Sequence, residues 1–145
     1  MFTSILCPVD FSVHSERALR YAVELAALTG AHLTVITVVD SFLDAASNAS
    51  GTHDALTAQT QEEIKGLLER ISAGRRQPLE RIGVSVEVGE AAEEILKQVE
   101  ECRAELVVMG TQGLDGPKRY FFGSTTERVL RESRVPVLAV PAEGT

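Results

Sequence analysis

Residues 5–39 read ILCPVDFSVHSERALRYAVELAALTGAHLTVITVV, and the local patterns in this stretch predict the class of fold. The apolar run Ile5–Val9 is typical of a strand that is buried on both faces. Ser12 can cap a helix with an apolar stripe that ends at Gly30, since glycine accepts the left-handed conformation past a helix end. Leu33–Val39 is rich in β-branched residues, which predicts a second strand. A strand, a helix and a strand in this order predict a parallel β-α-β unit.

The same alternation continues along the rest of the chain. Residues 40–55 are small, polar and aperiodic, which predicts a loop leading into a helix with apolar residues from Leu56 to Ile71. Strand, helix, strand, helix and strand follow at residues 84–88, 90–102, 105–109, 124–133 and 137–140. The pattern predicts one α/β domain over residues 1–145. Its architecture would be a doubly wound, Rossmann-like parallel sheet of five strands with helices on both faces.

Composition excludes several classes of protein. Hydrophobic residues make up 44% of the chain and charged residues 24%, as in ordinary globular domains. The net charge of −7 argues against a nucleic-acid surface, which needs an excess of Lys and Arg. The sequence shows neither a signal peptide nor a run long enough to span a membrane, so we expect a cytoplasmic protein. Cys7 and Cys102 have no metal-binding spacing, and we expect both to be buried small side chains rather than redox groups.

Ligands of doubly wound folds bind outside the carboxyl ends of the strands, where the strand order reverses. The sequence places three of these ends at Val9, Val39 and Met109. Asp10 directly follows the first strand, where its carboxylate can accept hydrogen bonds from the hydroxyls of a ribose. The same carboxylate can instead cap the following helix or bond to its own turn, and the residue type leaves both readings open.

The glycine-rich stretch GTQGLDGPKRYFFGST begins at Gly110, follows the fourth strand and opens the last helix. Backbone N–H groups and a helix N-terminus bind phosphate in this setting. The chain has neither GxxxxGK[ST] nor GxGxxG; its spacing is Gly110-x2-Gly113-x9-Gly123-Ser124. Five basic and three acidic residues lie between Gly110 and Arg134, a local excess of positive charge in an acidic chain. A phosphate-binding loop accounts for this pattern, and so does a corner that caps a helix beside solvated arginines.

These residues resemble the universal stress protein family over nearly the whole chain. The resemblance rests on Pro8-Val-Asp10-Phe-Ser12, on Val38-Val-Asp40, on the glycine spacing that ends in Gly123-Ser124, and on Ser133-Arg-Val-Pro136-Val-Leu138. The glycine spacing is the signature of the family's ATP-binding branch. The resemblance implies a sheet ordered 3-2-1-4-5 with an adenine nucleotide lying over its switch point. ATP is the expected ligand; magnesium would accompany a triphosphate, although no residue stands out as its ligand.

The resemblance also implies which residues hold the nucleotide. They are Pro8, Val9 and Asp10 for the nucleoside, with Asp10 on the ribose; Val38 for adenine through its backbone; Met109 and Gly110 for the floor; and Gly113, Gly123, Ser124, Thr125 and Thr126 for the phosphates.

The last strand bears on assembly. Residues 135–140 are apolar and would form a sheet edge, and an apolar edge tends to find a partner. The resemblance implies that two such edges pair antiparallel across a twofold axis, which gives a homodimer. The alternative is a monomer whose edge is blunted by Pro136 and Pro141.

Catalysis requires a positioned acid, base, nucleophile or metal, and the sequence offers little of this kind. His14 lies near the expected site but is more typical of a solvated residue in the first turn of a helix. Ser124 and Thr125 would lie near a γ-phosphate, which allows slow ATP hydrolysis or self-phosphorylation. The leading hypothesis is a non-catalytic, ATP-binding regulator of a stress response with a protein partner that the sequence does not identify. The alternatives are an enzyme of adenine-nucleotide chemistry and a dimeric scaffold that binds no nucleotide.

Overall fold

The computed structural model describes residues 2–40, 53–73, 81–112 and 122–141. Its elements are β1 (Ser4–Pro8), α1 (Val13–Thr29), β2 (His32–Asp40), α2 (His53–Ser72), β3 (Ile82–Gly89), α3 (Ala91–Glu101), β4 (Leu106–Gly110), α4 (Ser124–Glu132) and β5 (Val137–Val140). The five strands form one parallel sheet in the order β3-β2-β1-β4-β5. The predicted doubly wound α/β fold and its strand order are therefore confirmed.

Two of the described helices cover each face of the sheet. Because successive side chains of a strand point to opposite faces, Ile5 and Cys7 of β1 pack with α1 and α2, whereas Leu6 packs with α3 and α4. All three side chains are fully buried. Burial on both faces explains why β1 reads as a continuous apolar run rather than an alternating one.

Local chemistry fixes the helix ends as the sequence predicts, with one addition. The Ser12 hydroxyl accepts from the backbone N–H of Ser15 at the start of α1, and Gly30 ends that helix with φ 74°. Glu90 lies outside α3, in extended conformation, and its carboxylate accepts hydrogen bonds from the N–H groups of Ala92 and Glu93. The sequence places Glu90 in the helix itself; the structure makes it the N-cap.

The strand bounds differ from the predicted ones by one or two residues because pairing, rather than apolar content, sets them. β3 spans Ile82–Gly89 and is paired with β2 along its full length. β4 ends at Gly110, whose register partner is Val140. The loop predicted at residues 40–55 largely falls outside the described residues, and α2 already begins at His53.

Among the described helices, none is long and apolar enough to cross a membrane.

Candidate functional site

The carboxyl ends of β1, β2 and β4 meet at one edge of the sheet, and β2 runs further than β1 there. The register between β1 and β2 ends at Pro8 and Ile36, while β2 continues to Asp40. Val9 closes the pairing: its N–H donates to the carbonyl of Ile36 over 2.8 Å, and its carbonyl accepts from the Thr37 hydroxyl over 3.0 Å. The extra length of β2 lies beside the switch point between β1 and β4, where folds of this kind have their ligand crevice.

Hydrogen bonds along β2 show which residues direct their backbone groups toward that crevice. The N–H of His32 donates to the carbonyl of Thr3, and the carbonyl of Ile36 accepts from the N–H of Val9. The even-numbered residues of β2 therefore direct their backbone N–H and C=O groups toward β1. Alternate residues of a strand direct their polar groups to opposite sides. Val38 continues the even-numbered series beyond the end of β1. Its N–H and C=O therefore face the crevice, where a base could bind them.

The turn from β1 to α1 is held by side-chain bonds. One carboxylate oxygen of Asp10 accepts from the N–H of Ser12 over 3.0 Å, and the N–H of Asp10 donates to the Ser15 hydroxyl over 3.2 Å. Between them Phe11 has φ 65°, a left-handed conformation that is uncommon for a bulky residue. Asp10 thus takes the turn-stabilising role that the sequence left open. A carboxylate has lone pairs for further donors, so the same side chain can also accept hydrogen bonds from ribose hydroxyls.

Pro8 and Val9 precede this turn, and both are buried. The Val9 side chain belongs to the core on the α1 and α2 face, with 3% of its surface exposed. Either residue can therefore meet a ligand mainly through its backbone.

Gly110 lies in close contact with α1 at this edge. A Cβ at position 110 would lie 2.8 Å from Cβ of His14 and 2.9 Å from both its carbonyl carbon and oxygen. Only a residue without a side chain fits here, because the first turn of α1 lies directly against the backbone of β4. Met109, next to it, is 4% exposed and packs on the α3 and α4 face.

His14 differs from its predicted state. The sequence suggested a solvated side chain, but His14 is only partly exposed. Its Nδ1 is buried without a hydrogen-bond partner within the described part of the chain. The packing of α1 against Gly110 explains the burial, and no sequence signal marks that contact.

Thr111 and Gly123, near the two ends of the glycine-rich stretch, are hydrogen-bonded to each other, and Thr111 is also bonded to β5. The N–H of Gly123 donates to the carbonyl of Thr111 over 2.8 Å, and the N–H of Thr111 donates to the carbonyl of Val140 over 3.1 Å. The hydroxyl of Thr126, a residue 3% exposed, donates to the carbonyl of Gly110 over 2.8 Å. Thr111 was not among the predicted site residues, and Thr126 is turned toward β4 rather than toward solvent.

The N-terminus of α4 differs from those of α1 and α3. Its N-cap, Gly123, makes no side-chain capping bond. The first bond of the helix runs from the N–H of Glu127 to the carbonyl of Gly123, so the amides of Ser124, Thr125 and Thr126 precede the helical ladder. Ser124 is exposed and Thr125 half-buried. Such amides, together with the helix dipole, favour an anion.

Three arginines behind this N-terminus form ion pairs with carboxylates. Arg128 contacts Glu90, Glu93 and Glu132; Arg131 contacts Glu127 and Glu132; and Arg134 contacts Glu100. These arginines therefore form a surface network of ion pairs, as in the alternative prediction, rather than a set of direct phosphate ligands. Gly113, Lys118 and Arg119 lie outside the described residues.

The cysteines divide into two cases. Cys7 is fully buried, and burial raises the pKa of its thiol far above the ordinary range, as expected for a small core side chain. Cys102 is only half-buried, and its thiol donates to the carbonyl of Gln98. Within the described ranges no group of three or more His, Cys, Asp or Glu side chains could hold a metal ion.

Comparison with known proteins gives a family match over almost the whole chain. The model of the universal stress protein family matches residues 1–141. The chain is 30% identical over 140 residues to universal stress protein MJ0531 of Methanocaldococcus jannaschii, covering 97% of this chain and 82% of that protein. Among solved structures, universal stress protein UspA from Lactobacillus plantarum superimposes with a TM-score of 0.79 at 26% identity, covering 95% of this chain and 97% of the other.

Two further structures of this fold are complexes with nucleotides. A universal stress protein in complex with cAMP has a TM-score of 0.72 at 24% identity and covers 97% of each chain. The universal stress protein from Archaeoglobus fulgidus in complex with dAMP has a TM-score of 0.68 at 21% identity, covering 97% of this chain and 98% of that one. At these identities the likeness establishes the shared fold.

Proposed function

Since this chain belongs to the universal stress protein family, we propose that it binds an adenine nucleotide, with ATP as the expected ligand. In this proposal residues 1–145 act as one nucleotide-binding domain of the family's ATP-binding branch. The domain is a non-catalytic regulator: occupancy by the nucleotide changes the surface that a partner protein meets.

The observation that carries the proposal is the pairing of two backbone surfaces at one edge of the sheet. The uncapped N-terminus of α4 supplies amides for phosphate, and Val38 directs its N–H and C=O into the crevice. Gly110, at the end of β4, lets the first turn of α1 pack directly against the strand at this edge. A ligand with an anionic group at one end and a planar hydrogen-bonding base at the other matches both surfaces.

The base end favours adenine. A backbone N–H beside a C=O complements the Watson–Crick edge of adenine, which offers a ring-nitrogen acceptor and an amino donor. Guanine presents a donor and an acceptor in the reverse arrangement, so Val38 would leave groups of both partners unpaired. We therefore expect the site to discriminate against GTP by roughly tenfold or more, because an unpaired buried polar group costs about 1–3 kcal/mol.

The remaining predicted residues take roles that fit their positions. Asp10 would bind the ribose hydroxyls with a carboxylate whose place is fixed by Ser12. Pro8 and Val9 would contribute backbone contacts, and Met109 would support the floor from within the core. Thr126 would act indirectly, by holding the carbonyl of Gly110.

The phosphates would be bound by the exposed start of α4. Ser124 and Thr125 would bind through their amides and hydroxyls, and the amide of Gly113 would add to them. Gly123, whose own N–H is bonded to Thr111, would set the direction of the helix. Two structures of the same fold hold cAMP and dAMP, which supports an adenine nucleotide as the ligand class.

We also propose that the protein is a homodimer that pairs through β5. β5 lies at one edge of the described sheet, and Leu138 on it is 39% exposed. A parallel sheet whose edge strand is apolar can extend across a twofold axis by antiparallel pairing.

Calorimetric titration of ATP with magnesium, adenosine and GTP into the purified, nucleotide-free protein tests the proposed function. We expect ATP to bind, adenosine to bind more weakly than ATP because it lacks the phosphates, and GTP to bind at least about tenfold more weakly than ATP. Ser124→Glu places a carboxylate at the first residue of α4 and should abolish the advantage of ATP over adenosine. Leu130→Glu adds the same charge further along that helix, at a residue that is 37% exposed, and is the matched control.

Absence of binding by the folded native protein would refute the proposal and favour a scaffold that binds no nucleotide. Steady release of phosphate from bound ATP, followed in the same samples, would instead favour an enzyme. If Ser124→Glu left the binding of ATP unchanged, the phosphates would have to bind somewhere other than the N-terminus of α4.

A further inference from the structure

The position of α4 depends on few contacts. The helix spans nine residues, and only two of its side chains, Thr126 and Val129, are buried. Its first turn is held from one side by the bonds of Gly123 to Thr111 and of Thr126 to Gly110. These bonds join α4 to the end of β4. Toward α3, the buried side chain of Val129 shares an apolar cluster with Ala92 and Ile95 of that helix.

Arg128 adds a polar contact between α4 and the start of α3. Its Nη1 donates to Oε2 of Glu90 over 2.8 Å, and its Nη2 lies 3.8 Å from Oε1 of Glu93. Its Nε donates to Oε2 of Glu132, one turn further along α4, over 2.9 Å. The guanidinium is thereby fixed on its own helix while it reaches across to the start of α3.

Glu90 is itself fixed. As the N-cap of α3 it accepts from the N–H of Ala92 with Oε1, over 3.2 Å, and from the N–H of Glu93 with Oε2, over 3.0 Å. The oxygen that binds Glu93 also accepts from Arg128. The cap of one helix is therefore the anchor of the other, and the bonds connect residues that are 38 positions apart in sequence.

We propose that Arg128 and Glu90 are positioning residues for the phosphate end of the nucleotide site. Through the Arg128–Glu90 bond, the start of α3 holds α4 in place. The N-terminal amides of α4 are thereby kept beside Gly110 at the end of β4. Neither residue contacts the nucleotide. The inference rests on the proposed nucleotide site and specifies how its anion-binding half is oriented.

The experiment compares the affinities for ATP and adenosine in the native protein and in three variants: Arg128→Gln, Glu90→Gln and Arg131→Gln. We expect Arg128→Gln to weaken the binding of ATP about threefold to fivefold, which is the effect typical of an ion pair with this exposure. The affinity for adenosine should stay unchanged. A merely structural role would weaken both ligands, because the base end of the site would be disturbed as well.

Glu90→Gln separates positioning from simple electrostatics. It removes a negative charge near an anion site, so electrostatics alone would strengthen ATP binding, whereas loss of the anchor weakens it. Glutamine retains a side-chain oxygen that can still accept from the first turn of α3. We expect weaker ATP binding and unchanged adenosine binding.

Arg131→Gln is the matched control, since Arg131 is on the same helix and pairs with Glu127 rather than with α3. It should change the ratio of ATP to adenosine affinity by less than half as much as Arg128→Gln does. Equal effects of the two substitutions, or tighter ATP binding by Glu90→Gln, would overturn the inference while the proposed function stands. A native protein that binds no ATP would refute both.

Discussion

The backbone of His14 lies against Gly110 so closely that a Cβ at position 110 would be 2.9 Å from the His14 carbonyl oxygen. The atoms that stand in the way are the Cβ and the backbone carbonyl of His14, which no side-chain rotation can move aside. We therefore predict that Gly110→Ala destabilises the protein by about 1–3 kcal/mol, the usual cost of overpacking a close contact. Denaturant unfolding followed by circular dichroism would measure the change.

Gly66 provides the matched control for this substitution. It lies within α2, and a Cβ there would meet nothing within 4 Å. Gly66→Ala should stabilise the protein by about 0.5–1 kcal/mol, because alanine loses less conformational freedom in a helix. If both substitutions had the same sign, the close approach of α1 to Gly110 would not be what makes glycine necessary.

Substitutions of Asp10 can separate its two roles. Asp10→Asn keeps an oxygen that can accept from the N–H of Ser12, whereas Asp10→Ala removes it. We predict that Asp10→Asn changes the free energy of unfolding by less than about 0.5 kcal/mol but weakens ATP binding about tenfold, since hydrogen bonds to a charged group are the stronger ones. Asp10→Ala should lower both stability and affinity.

A ribose without hydroxyls checks the assignment of Asp10. For 2′,3′-dideoxy-ATP the native protein and Asp10→Asn should bind equally, because the interaction at issue is absent from both. A tenfold difference that persists with the dideoxy ligand would place the Asp10 carboxylate near some other part of the nucleotide.

The contribution of Glu105 to stability should depend on pH. The hydroxyl and the N–H of Thr3 both donate to its carboxylate, and these bonds hold the pKa of Glu105 below its ordinary range. A carboxyl with a depressed folded-state pKa stabilises the fold above its unfolded pKa, which is about 4.3 for Glu. That contribution is lost as the pH falls through the folded-state value.

Glu105→Gln should therefore reduce stability at neutral pH by an amount that stays constant down to about pH 5, because both states are ionised there. The difference between variant and native protein should shrink below about pH 4. Unfolding curves at a series of pH values would show this, and a difference that grows on acidification would contradict it.

The exposed edge of the sheet gives a prediction for assembly. Leu138→Lys places a charge on β5, where it should raise the fraction of monomer in sedimentation velocity. Leu28→Lys makes the same change on α1, at a side chain that is 81% exposed, and should leave the dimer intact. A native protein that sediments as a monomer at tens of micromolar would refute the proposed edge pairing.

The fold was predictable because the period of the apolar residues is a local property. The run Ile5–Val9 and the stripe of α1 each report which faces are buried, and right-handed crossovers leave few ways to arrange them. The strand order followed from the resemblance to the family and is confirmed. The capping roles of Ser12 and Gly30 were likewise readable, since each depends on residues of the adjacent turn.

The candidate site was predictable in its location and not in its contacts. The direction of Val38 follows from the parity of a strand once its register is known. The contact of His14 with Gly110 and the bond of Arg128 to Glu90 depend on how helices lie against the sheet, which no local pattern encodes. The hydroxyl of Thr126, expected at the phosphates, faces β4 for the same reason.

The hydrogen bond from Gly123 to Thr111 has a consequence for the entropy of ligand binding. Closing a loop costs conformational freedom that grows with the logarithm of its length, and here folding already brings the two ends together. A nucleotide that bound the residues between them would not have to bring these two ends together. More of each contact's free energy would then remain as measured affinity, so that a small number of backbone contacts could suffice for a tightly held ligand.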